Sequence, residues 1–173
     1  MNEGQSSLPE PWLRGTLIEV PAVARAVLHA LELAQENLHK WCGTLTQERL
    51  HAKSGGLPSV AFQLRHIAGS VDRLLTYAEG NELTKAQLRA LKAEPEVAGS
   101  ATELLAQLDA ALAHANLRVR ALASQDLSAP RRVGKKQLPT TLGGLLVHVA
   151  DHTQRHVGQA IITAKLVSAS KVF

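Results

Sequence analysis

The sequence predicts an all-α protein built as a four-helix bundle, and three features lead there. Aromatic residues make up only 3% of the chain while alanine and leucine abound. That balance favours helices, because strands draw on aromatic and β-branched side chains. Four stretches, each about 20 residues or longer, repeat apolar residues at spacings of three and four, the period of one helical face. Long alternating strand patterns joined by Asn-Gly turns are absent.

Residues 1–15 are polar and Pro-containing and read as a loosely ordered lead-in. The first helix starts around Pro21, since a first-turn proline has no N–H to lose. Its stripe includes Val23, Val27, Leu31, Ala34 and Leu38. "KSGGLPS" then breaks the chain, and Pro58 opens a second helix with Val60, Leu64, Ile67, Val71 and Leu75 on its core face. Gly80 is its expected stop. One short helix is expected in "TKAQLRALKAE", before Pro95.

Ser100 and Glu103 form an S-x-x-E capping box that starts the third long helix. Leu104, Leu108, Leu112 and Val119 supply its stripe. Residues 124–139 read as a loop. Thr140 or Thr141 caps the fourth helix, expected to end near Lys165. The connection from the second to the third long helix, about 20 residues, is long enough to leave those two parallel.

The length of 173 residues fits a single domain spanning residues 1–173. One cysteine, Cys42, excludes a disulfide within the chain. No secretory signal opens the sequence, and no charge-free apolar run reaches the ~18 residues of a membrane span. A cytoplasmic protein with no membrane partner is the expectation. The net charge of +4 is spread along the chain apart from "RRVGKK" at 131–136. That stretch reads as a solvated loop. It lacks the interleaved aromatics of a nucleic-acid footprint, so no nucleic acid is expected as a partner.

Chemistry gathers in "LVHVADHTQRHVGQ", residues 146–159, where His148, His152 and His156 recur every four residues on one helical face. Imidazole is a good ligand for borderline metals such as Zn²⁺, Ni²⁺ and Fe²⁺, and an i,i+4 pair can place two nitrogens on one ion. Two histidines alone make a weak site. A third candidate is His66, on the inward side of the second helix. Glutamate does not follow His148 or His152 as a zincin motif requires, and the Glu-x-x-His pairs of ferritin-like di-metal bundles are absent. Gln159 is placed to hydrogen-bond near such a site. Arg73, seven residues after His66, can meet either a substrate carboxylate or a structural ion partner. Asp151 projects away from the row, and Cys42 reads as inert.

"LRHIAGSVDRLL" combined with "HVADHTQRHVGQA" resembles the DinB superfamily, which includes the YfiT-like proteins. The resemblance implies an up-down-down-up bundle. It also implies one divalent metal held by three histidines, carried over here to His66, His152 and His156; His148, one turn before the pair, then reads as near the site or packing beneath it. It implies a homodimer and a small-molecule substrate. Relatives of this kind include metal-dependent thiol S-transferases that use a low-molecular-weight thiol, so a transferase is the leading expectation. A non-catalytic metal-binding or stress-related interaction protein and a metal-dependent hydrolase are the alternatives. The family commonly carries arginine after the second histidine of the pair; this chain has Val157.

Overall fold

The computed structural model describes residues 8–96 and 98–169, and among these six α-helices and one two-stranded sheet carry the regular structure. The long helices are α1 (Ala22–Cys42), α3 (Val60–Ala78), α5 (Ala101–Leu122) and α6 (Leu142–Ala169). The short ones are α2 (Gln47–His51) and α4 (Lys85–Ala93). Helix α1 packs on α6 and α5, and α3 packs on the same two, so the four apolar stripes face one another. Val27, Ala34, Leu38, Leu64, Ile67 and Leu108 are all buried where they meet. Among the described residues no helix is long and apolar enough to cross a membrane.

The punctuation read from the sequence has identifiable atoms behind it. Glu103 N–H donates to Ser100 Oγ at 3.3 Å and Ser100 N–H donates to Glu103 Oε2 at 2.8 Å, closing the capping box of α5. Helix α3 starts one residue after Ser59, whose hydroxyl accepts from Phe62 N–H at 3.2 Å. It stops at Gly80, where φ is +84°. There Gly80 N–H reaches Tyr77 O and Asn81 N–H reaches Thr76 O, the paired bonds of a glycine-terminated helix. Thr141 caps α6 by accepting from Gly144 N–H at 3.1 Å, and α6 runs four residues past the expected end.

One expectation needs correction, and one element is unexpected. The segment 124–139 is not a plain loop. It holds an antiparallel hairpin of β1 (Pro130–Val133) and β2 (Leu138–Thr141), with Pro130 opposite Thr141 and Val133 opposite Leu138. The basic stretch forms β1 and the turn, which Gly134 enters with φ +70°. Arg131 Nε donates to Ala78 O at 2.5 Å and so ties the hairpin to the end of α3. Helix α2 has no counterpart in the sequence pattern: five residues are too few to show a period.

Of the N-terminal lead-in, residues 1–7 lie outside the described residues. In the rest, a 3-10 turn at Pro11–Leu13 precedes Arg14, which bonds Glu32 at 2.9 Å and Glu36 at 2.6 Å on α1. Helix α4 bears directly on the histidines. Gln87 completes its capping box with Thr84 and also donates to Asp72 Oδ2 at 2.7 Å on α3. That contact holds α4 along α3 and delivers a 3-10 turn, Glu94–Glu96, to the side of α3 that carries His66.

Candidate metal centre

Helices α3 and α6 pack side by side and bring His66 against His152 and His156. Each of the three offers a ring nitrogen, and those atoms all lie within 4.8 Å of one another. The ring centroids are 4.3 Å apart for His66 and His156, 4.5 Å for His152 and His156, and 5.4 Å for His66 and His152. The i,i+4 spacing on α6 supplies two of the rings from one face. The third comes from α3, where Phe62 stacks on the His66 ring at 5.5 Å with planes 11° apart.

The hydrogen bonds decide which nitrogens are free. His66 Nδ1 lies 2.7 Å from Glu94 Oε2. Burial opposes ionisation of Glu94, but the bonds from His66 and Arg73 outweigh it and hold the carboxyl below its ordinary value. An ionised carboxylate only accepts, so His66 Nδ1 carries a proton, and in the neutral form of the ring it is Nε2 that presents the lone pair. Likewise His156 Nδ1 donates to Gln63 Oε1 at 2.8 Å, because the Gln63 amide nitrogen is used to reach Gln159 Oε1 at 3.1 Å. Two of the three rings are thus fixed in one tautomer, each by a partner on its outer nitrogen, as is usual for metal-ligating histidines.

The inner edge of the cluster fits a cation. His66 Nε2 and His152 Nε2 are 3.2 Å apart. Two lone pairs at that separation repel, so the gap needs a proton or a positive ion. Two nitrogens bound to one ion at about 2.1 Å stand roughly 3.0–3.4 Å from each other, depending on coordination angle. The two rings on α6 are also pushed towards the neutral form. Burial, then the neighbouring His156 and His66, pushes His152 down to about 4. Burial and His66 lower His156 too. Neutral imidazole is the ligating form.

The same depression makes stability depend on pH. The folded value of His152 lies below its ordinary value of 6.5, which the unfolded chain restores. Between those values the unfolded chain binds the proton and the folded one does not, so lowering the pH favours unfolding. The melting temperature of the metal-free protein should therefore fall as the pH drops from 6.5 towards 4, and the fall should be shallower in His152→Gln. Thermal denaturation across that range checks it; identical slopes in both proteins would contradict the account.

The other sequence candidates divide. His148 has its ring 5.3 Å from His152 but is not one of the converging group. It is 43% exposed, with Nδ1 3.3 Å from Asp151 Oδ1. Gln159 reaches the cluster in two ways: its Oε1 accepts from Gln63, and its side chain acts directly on His156, where it partly offsets the effect of burial. Of its two expected roles, Arg73 shows the ion pair: Nη1 donates to Glu94 Oε1 at 2.7 Å, and the two side chains are 9% and 5% exposed. Burial pushes the Cys42 thiol up to about 12, so it is no nucleophile. Val157, where the family commonly has arginine, is buried in the core.

Two residues that hold the site escape a reading of the sequence. Glu94 lies 28 residues from His66, at the end of the short helix expected before Pro95, and no spacing in the sequence links it to His66. Gln63 stands three residues before His66 and so shares its face; that spacing is the one signal that could have found it.

No curated protein matches the chain. The sequence profile of the DinB superfamily matches residues 30–160, about three quarters of the chain, with all three histidines inside the match. Reaching from within α1 to within α6, that match shows that the chain belongs to the DinB superfamily.

Proposed function

We propose that the protein binds one divalent metal ion through His66, His152 and His156 and catalyses transfer of a low-molecular-weight thiol to a small electrophilic substrate. The observation that carries this reading is the convergence of three imidazoles, two of them with the outer ring nitrogen engaged by Glu94 and Gln63. Membership of the DinB superfamily, whose members are metal-dependent, supports it. We also read the four long helices as the up-down-down-up bundle; the packing of α1 and α3 on both α5 and α6 is consistent with it.

Three protein ligands leave coordination positions for an exogenous group. A bound divalent cation there would favour thiolate over thiol and so supply a nucleophile at neutral pH. The chain's own part is to hold and to orient. Glu94 and Gln63 keep the outer ring protons of His66 and His156 in place, so the inner nitrogens face the ion. Phe62 covers one face of His66 and keeps it from turning. In the net reaction a carbon–sulfur bond forms, the leaving group departs with its bonding pair, and the thiol proton is released.

The test is a screen of metal-loaded protein against a panel of thiols and electrophiles, with metal content measured in parallel. Thiol consumption that disappears with the metal is the expected result. Full metal content with no turnover across the panel would instead favour a metal-binding protein without catalysis, and water consumption with no thiol would favour a hydrolase.

A further inference from the structure

Gly69 sits in the middle of α3, one turn after His66 and on the same face. A glycine there lowers helix stability by about 1 kcal/mol relative to alanine. Its backbone is helical and needs no special freedom, because its φ is not among the positive values of the chain. The reason for glycine must therefore lie in space. A Cβ at residue 69 would stand 2.7 Å from Arg73 Nη1 and 2.8 Å from Glu94 Oε1. Those atoms are the two ends of the buried ion pair. The pair crosses α3 directly over the bare Cα of Gly69, and the other oxygen of the same carboxylate receives the His66 ring proton.

We propose that Gly69 is a positioning residue of the metal centre: its missing side chain leaves the notch through which Glu94 reaches His66. This role rests on the proposed metal site for its effect on affinity, but not for its effect on the His66 ring. A methyl group in the notch meets only the far ends of two side chains. The chain can fold around it, but the carboxylate must move, and the acceptor that fixes the His66 tautomer moves with it.

The experiment is a cycle of four proteins: native, Gly69→Ala, Glu94→Ala and the double variant. In the metal-free proteins, ¹⁵N NMR of the His66 ring reads the tautomer. The Nδ1–H form should dominate in the native protein and give way to a mixture in Gly69→Ala. Titration with Co²⁺ or Zn²⁺ should show affinity lower by roughly 10–100-fold in Gly69→Ala, the range for losing a group that orients a ligand. Adding Gly69→Ala to Glu94→Ala should lower affinity no further, because the methyl then occupies vacated space. The proposal is overturned if Gly69→Ala keeps both the native tautomer and the native affinity, or if the two losses simply add. If Gly69→Ala alone does not fold, the comparison of Glu94→Ala with the double variant still decides: a further fall without the carboxylate overturns it. If the native protein binds no metal, the metal reading fails while the ring spectra still decide whether Gly69 acts on His66.

Discussion

Replacing His152 with alanine should remove stoichiometric metal binding while leaving the helices intact. His152 brings a ring nitrogen to the inner edge of the cluster: its Nε2 faces His66 Nε2 across 3.2 Å, and its ring lies 4.5 Å, centroid to centroid, from His156. Without it the two remaining imidazoles no longer enclose an ion from three sides. Loss of a ligand must exceed the roughly 10–100-fold associated with loss of an outer partner. The fold should survive, because the ring is only half-buried, while the fully buried Leu146, Val149 and Val157 carry the packing of that part of α6. Metal analysis after dialysis, beside far-UV circular dichroism, reads both effects. His148→Ala is the control and should keep its metal, since that ring leans on Asp151 outside the converging group. One equivalent of metal retained in His152→Ala would remove the basis for assigning the site.

What is legible in the sequence and what is not follow a physical division. The long helices announce themselves because each buries a stripe, and burial imposes a period over many turns. Ser100 with Glu103 and Gly80 are legible because caps act over three or four residues. The hairpin is not, since each strand has only four residues and neither carries a buried side chain. It is held by main-chain pairing and by Arg131 on a carbonyl of α3, neither of which leaves an apolar pattern. The three histidines are legible as candidates, two of them by spacing on α6 and the third by its place on the inward side of α3. Their convergence needs coordinates. The partners of Arg73 and His66 are the least accessible, because both turn out to be Glu94, placed there by the docking of α4 rather than by any local period.

The double role of Glu94 permits a prediction in which stability and metal affinity part company. Arg73→Met leaves the Glu94 carboxylate buried with His66 as its remaining partner. Breaking a buried pair on one side typically costs about 3–5 kcal/mol, and the surviving His66 contact places this case near the lower end. Chemical denaturation of the metal-free protein should show a loss of roughly 3 kcal/mol. Replacing both partners, as in Arg73→Met with Glu94→Leu, removes the stranded charge, and such apolar replacements are often neutral or stabilising. Most of the stability should return. Metal affinity should not, because His66 Nδ1 has then lost its acceptor and the ring can adopt the tautomer that points a proton at the ion. A double variant that recovers both would mean that Glu94 balances the charge of Arg73 and does nothing for the histidine. Recovery of stability alone, with binding still weaker by at least ~10-fold, would separate the two tasks that one carboxylate performs.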